Sequence, residues 1–211
     1  MILEIYQIIS EYLSFIHSSN LIKLNKSVYD NIKIYDLNLE SKYTKHLTIN
    51  ILSQKRFSKL KKIKLCENIF VQDLDIFKNT LEELNCAKFT YHSQYTIINQ
   101  ASIKNLINLK KMNAYGNEKI FDVNHLSNLE ELNCGNNSGI DQLGLSKLNK
   151  LKILNAHNNS KIKDVSHLAN TLVYLNCSWD CGINQKGIQL LKVLKIINVQ
   201  NNININRNIF I

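Results

Sequence analysis

The chain has 211 residues, a net charge of +9 and 45% hydrophobic residues, enough to bury a sizeable core. No stretch approaches the ~18 consecutive apolar residues of a membrane helix, and the opening MILEIYQIISEYL lacks the charged start and continuous apolar core of a secretory leader. The five cysteines form no CxxC and no Cys/His set at zinc-finger spacing, which excludes that metal chemistry and points to reduced thiols in an intracellular protein.

From the amino terminus, Ile2, Ile5, Ile9, Leu13 and Ile16 recur every three or four residues, the spacing of an amphipathic helix. A second helix is expected from Ser19 or Asn20 as a cap into LIKLNKSVYDNI. Residues 1–40 are therefore read as a small helical segment, and 41–211 as a separate region of different periodicity. Within the latter, HLTINIL (46–52) alternates apolar and polar residues and predicts an irregular first strand. Lys55, Arg56, Lys59, Lys61, Lys62 and Lys64 follow as a basic cluster. Such a cluster attracts anionic partners, but it coincides with outward positions that are normally charged, so solvated surface is expected rather than nucleic-acid contact.

A pattern L-x-x-L/I/M-x-apolar then starts at Leu60, Leu81, Leu109, Leu129, Leu151, Leu172 and Leu194. With each starting leucine as step 0, steps 0, 3 and 5 face inward and steps 2, 4 and 6 outward, so each turn supplies one short strand of a parallel sheet. Asn68, Asn117, Asn137, Asn159 and Asn202 stand at step 8, with Phe89 and Asp180 as exceptions. An amide there both donates and accepts, so this column predicts a buried structural ladder. A second column, Asn85, Asn113, Asn133, Asn155, Asn176 and Asn198 at step 4, is expected to bond between neighbouring rungs. Cys86, Cys134 and Cys177 share the inward step 5 and are read as small buried hydrophobes.

These columns resemble the leucine-rich repeat, LxxLxLxxNxI, over roughly residues 57–205. The resemblance implies an α/β solenoid with its parallel sheet on the concave face, preceded here by the small helical segment. Absence of proline with heavy use of Asn, Ile and Lys fits an AT-rich coding bias, and the combination resembles repeat proteins of large amoeba-infecting viruses or of AT-rich amoebae. Sequons at Asn136, Asn158 and Asn176 would place glycans inside the rungs, which again favours a cytoplasmic or nuclear location.

Outward positions change character along the coil, from Lys62, Glu83, Lys111 and Glu131 to Ile153, Tyr174 and Ile196, with Tyr115 and His157 at step 6 and Trp179 just beyond. Apolar and aromatic side chains on a concave surface are expected to bind protein. The rung from Leu81 is longer, and its extra residues AKFTYHSQYTIINQ (87–100) are expected to bulge from one edge. No GxSxG, P-loop, HExxH or dinucleotide fingerprint is present, so neither catalysis nor a cofactor is expected. His125 and His167 fall at equivalent places of two rungs, which repeat structure explains.

Glu4, Ile5, Ile9, Tyr12, Leu13, Leu21 and Leu24 fall where an F-box has its conserved pattern, LPxEIxxxIxxYLxxxxLxxLxxVxKxWxxL. Residues 1–40 resemble that family, although Ile2 replaces its proline and Tyr29 its tryptophan. The resemblance implies a monomeric adaptor whose Ile5, Ile9, Leu13, Leu21 and Leu24 grip the Skp-type linker of a cullin ubiquitin ligase. The alternative is a stand-alone repeat scaffold whose helices only cover the apolar edge of the first rung.

Overall fold

The computed structural model describes residues 33–37, 47–66, 68–89 and 97–206. Ile5, Ile9, Leu13, Leu21 and Leu24 lie outside the described residues, as does 90–96 of the longer rung.

Only the residues around the inward leucine of each rung run straight, so the strands are short. They are β1 (Asp36–Leu37), β2 (Lys62–Lys64), β3 (Glu83–Asn85), β4 (Lys111–Asn113), β5 (Glu131–Asn133), β6 (Ile153–Asn155), β7 (Tyr174–Asn176) and β8 (Ile196–Asn198). All eight form one parallel sheet in sequence order. Register keeps the columns aligned: Leu132 pairs with Leu154, which pairs with Leu175, and Asn133 with Asn155 and Asn176. The predicted solenoid is the observed architecture.

The core is a stack of rungs rather than a collapsed globule. Leu129, Leu132 and Cys134 lie buried beside Leu151, Leu154 and Ala156, and these beside Leu172, Leu175 and Cys177. Ile120, Ile140, Ile162 and Ile183 at step 11 close each turn from the far side. All five cysteines are buried and free. Burial pushes the thiols of Cys86 and Cys177 up to about 12 and that of Cys181 to about 11, and raises Cys134 further still.

Between strands, the step-8 asparagines serve groups that water cannot reach. Asn159 Nδ2 donates to Cys134 O at 2.8 Å and Ile140 O at 3.0 Å, while its Oδ1 accepts from Lys161 N. Asn202 repeats this two rungs on, to Cys177 O at 2.7 Å and Ile183 O at 3.0 Å. Asn117 bonds Cys86 O and Ile98 O, and Asn68 bonds Leu47 O. These four amides thus tie their rungs to the preceding turns.

Asn137 departs from this column. Asn136 and Asn137 both adopt left-handed backbone, φ 54° and 55°, and Asn137 is exposed. Ser138 occupies the buried position instead, its Oγ donating to Cys134 O at 2.9 Å. The tightened turn needs glycine next, because a Cβ on Gly139 would stand 2.4 Å from Ile120 O.

Two further differences concern the amino-terminal side. Over its described residues, 47–52, HLTINIL is not a strand: Ile49–Leu52 form a helical turn, α1, with Thr48 as N-cap, its side chain accepting from Ile51 N. Capping and burial of both Leu47 and Leu52 outweigh a short alternation. The sheet also reaches back into the segment read as helical, since β1 pairs with β2 through Leu37 and Ile63. Ile34 and Leu37 fill the inward places of an additional rung. An isoleucine in place of the starting leucine hid it. Two more single-turn helices, α2 (Gln100–Ile103) and α3 (Gln185–Ile188), line the far side. Among the described residues no helix is long and apolar enough to cross a membrane.

Candidate protein-binding face

Steps 2 and 4 of successive rungs line the concave face, and register makes both columns continuous from strand to strand; step 6 lies in the turn beyond each strand, where Gly135 and Ser178 are buried and Tyr115 and His157 are half-buried. A groove of about 460 Å³ runs from Asp36 on β1 to Tyr174 on β7. Its two halves differ in chemistry.

Over β2 to β5 the step-2 column alternates in sign and neutralises itself. Lys62 pairs with Glu83 at 3.1 Å and Lys111 with Glu131 at 2.7 Å. On the adjoining step-1 column Glu82 accepts from both Lys110 at 2.8 Å and Lys61 at 2.9 Å, and Lys152 reaches Glu130 at 2.8 Å. Hydrogen bonds from Lys110 and then Lys61 hold the Glu82 carboxyl below its ordinary range, and the bond from Lys152 does the same for Glu130. Two lysines of the basic cluster, Lys61 and Lys62, are thus occupied by the next rung.

At β6 the step-2 column turns apolar. Ile153 is 38% exposed and Ile196 58% exposed, with half-buried Tyr174 between them in direct register. Both isoleucines would be better buried, and within the described chain nothing covers them. Lys195 precedes Ile196 of this strip and Lys192 stands three residues earlier; both are exposed, and none of the ion pairs among the described residues involves either.

The step-4 asparagines do not form the expected ladder between rungs. Each Oδ1 accepts a backbone N–H two residues on: Asn155 from His157, Asn176 from Ser178, Asn198 from Gln200. These are Asx turns that end each strand. The backbone N–H two residues on meets each such oxygen, so these bonds close locally; at Asn85 the Sγ of Cys66 in the preceding rung also donates to Oδ1, at 3.1 Å.

Beyond the asparagines stand the aromatic groups. His157 and Trp179 meet edge to face at 6.4 Å and 80°. Trp179 is half exposed and left-handed, φ 60°, in a step-7 column where neighbouring rungs have Gly116, Asn136, Asn158 and Asn201. A bulky side chain is disfavoured there, so the position stores strain of the kind found at functional sites. Its backbone is held by Trp179 N donating to Gln200 O and Cys181 N donating to Trp179 O, both 2.7 Å.

His157 Nδ1 lies 2.9 Å from Ser178 Oγ, which donates to Asn176 Oδ1 at 2.7 Å. With its own proton committed to Asn176, Ser178 accepts from His157 Nδ1–H. That is the wrong polarity for a base activating a nucleophile, and Ser178 is 2% exposed. The trio positions the imidazole against Trp179. His125 and His167 are placed by the repeat, each ring reaching a carbonyl of the preceding rung, Ile103 O and Leu145 O.

Of the residues singled out from sequence, Ile153, Tyr174 and Ile196 form one strip and His157 and Trp179 one pair across the asparagines. Tyr115 stands apart, separated from His157 by Gly135 and stacked on Phe89 at 5.9 Å. Sequence reasoning missed Lys192, Lys195 and Ser178. The absence of acidic residues in the rung from Leu194 was the available signal for the two lysines.

No family profile and no curated protein matches the chain. Among solved structures, an internalin from Listeria monocytogenes, a leucine-rich-repeat protein, is similar in fold, with a TM-score of 0.53 at 21% identity. The match covers 86% of this chain and 59% of the internalin, so this chain spans about three fifths of that structure's length. The likeness establishes the leucine-rich-repeat fold.

Proposed function

We propose that the chain is a protein-interaction adaptor: the β6–β8 half of the concave face holds a target, and residues 1–40 engage the Skp-type linker of a cullin ubiquitin ligase. The observation that carries the target half is the change at Ile153 from a self-paired charge ladder to an exposed apolar strip. The ligase half rests on the F-box resemblance of residues 1–40 alone. The adaptor performs no chemistry; it raises the effective concentration of target near a ligase. Buried, free thiols support a reducing, intracellular setting.

The test has two arms. Full-length chain is used to pull down the Skp-type linker beside folded Ile9→Asp and Leu13→Asp variants. Binding lost in the variants supports the adaptor, whereas no binding by the folded wild type removes the ligase role and leaves a repeat scaffold. Tyr174→Glu and Ile196→Glu then separate target binding from ligase binding, since they are expected to abolish the first and spare the second.

A further inference from the structure

We infer that the occupant of the β6–β8 face is an acidic amphipathic helix of a partner protein, lying along the coil axis across the strands. This deepens the protein-binding reading above and rests on it.

Spacing is the first ground. Parallel strands are ~4.8 Å apart, so Ile153, Tyr174 and Ile196 lie in a row about 10 Å from first to last. A helix rising ~1.5 Å per residue presents side chains i, i+3 or i+4, and i+7 over ~10.5 Å, which matches all three. An extended segment presents i, i+2 and i+4 over about 13 Å and loses step by the third contact.

Width agrees. Step 2 opens each three-residue strand and step 6 lies in the turn beyond its end, at most about 13 Å apart, and a helix with its side chains is ~10–12 Å across. The strip forms one wall of this trough and the His157–Trp179 pair the other. Trp179, half exposed in a conformation its neighbouring rungs give to Gly or Asn, is the anchor at that wall.

Charge selects the sign of the partner. Residues 141–206 contain eight lysines, three aspartates and no glutamate or arginine, a balance of 8 − 3 = +5. Lys195, adjacent to Ile196, and the exposed Lys192 three residues earlier are outside every ion pair of the described residues. On the trough floor, Asn155, Asn176 and Asn198 spend their Oδ1 atoms on their own turns, which leaves Nδ2 donors for carboxylates. A basic or purely apolar helix would leave these cations without counter-charge.

The test is selection from a display library of random peptides of about 16 residues, some four helical turns, on the immobilised full chain. Binders are counter-selected on Tyr174→Glu whose folding circular dichroism verifies. Enriched sequences are expected to carry apolar residues at three- and four-residue spacing over two turns, with Asp and Glu between. Individual peptides should weaken about tenfold or more on Ile196→Glu or Trp179→Asn, and an acid-to-lysine reversal in the peptide should recover binding to Lys195→Glu. Enrichment with period two, enrichment of basic peptides, or no enrichment over Tyr174→Glu would each overturn the inference. A peptide of residues 1–18 binding better than the selected sequences would also overturn it, assigning the trough to the chain itself. Target capture that is lost in Tyr174→Glu while the library fails would leave the adaptor reading standing with a different ligand class.

Discussion

Asn137 and Asn159 occupy the same step of two rungs, yet replacing each by alanine should have very different consequences. Asn159 is fully buried and makes three bonds, to Cys134 O, Ile140 O and from Lys161 N. In Asn159→Ala, Cys134 O keeps Ser138 Oγ as a partner, so that loss is worth about 1 kcal/mol. Ile140 O, in contrast, is left buried without the amide, at a cost of about 1–3 kcal/mol, and losing the Lys161 bond adds up to about 1 kcal/mol. The sum, about 2–5 kcal/mol, is a large part of the ~5–15 kcal/mol that stabilises a typical domain. Asn137 is exposed, and its replacement loses only the tolerance of asparagine for φ 55°, about 1 kcal/mol or less. Ser138→Ala should fall between them, because Ser138 is the buried group of that rung. Urea denaturation followed by far-ultraviolet circular dichroism measures the difference, read from midpoints at unchanged slope so that altered cooperativity of the array is detected. Equal losses for Asn137→Ala and Asn159→Ala would refute the assignment of Ser138 to the ladder. A loss under about 0.5 kcal/mol for Asn159→Ala would refute the ladder as a source of stability.

Three other outcomes follow from the same packing. Gly144→Ala should destabilise by about 2–3 kcal/mol in the same assay, because the new Cβ would meet Phe121 O at 1.9 Å and neither backbone can yield; an unchanged midpoint would contradict this close approach. The native thiols should resist an aromatic disulfide reagent at pH 8, where a group near 11 or 12 is thiolate in only about one molecule in a thousand or fewer, whereas all five should react in urea; fast native reaction would refute their burial. Because Lys110 and Lys61 depress Glu82 in the folded state, the unfolded chain binds more protons. The contribution is complete above the unfolded glutamate value of about 4.3 and disappears as pH falls through the folded value. Stability should therefore drop as pH falls below about 4.3, and Glu82→Gln should flatten part of that drop.

Much of this architecture is local information repeated. Leucines at steps 0 and 3, small residues at step 5 and isoleucine at step 11 recur in phase, and a parallel stack is the arrangement that buries all of them at once. The same periodicity made Ile153, Tyr174 and Ile196 readable as one outward row, because an in-register sheet converts equal steps into neighbours. Features that depend on contact with another rung were not legible. Whether Lys62 or Lys195 is occupied depends on what stands opposite in the next turn, a glutamate for one and no ion-pair partner among the described residues for the other. Ser138 replaces Asn137 because two left-handed residues and Gly139 shift the chain by one position, a choice made by backbone packing against Glu118 and Ile120. Ile34 and Leu37 became a rung only by pairing with β2, and Ile49–Leu52 became a helical turn because Leu47 and Leu52 both reach the core. Periodicity along one chain specifies which side chains face in; the identity of each side chain's partner is decided only when the turns are stacked and unpaired groups become costly.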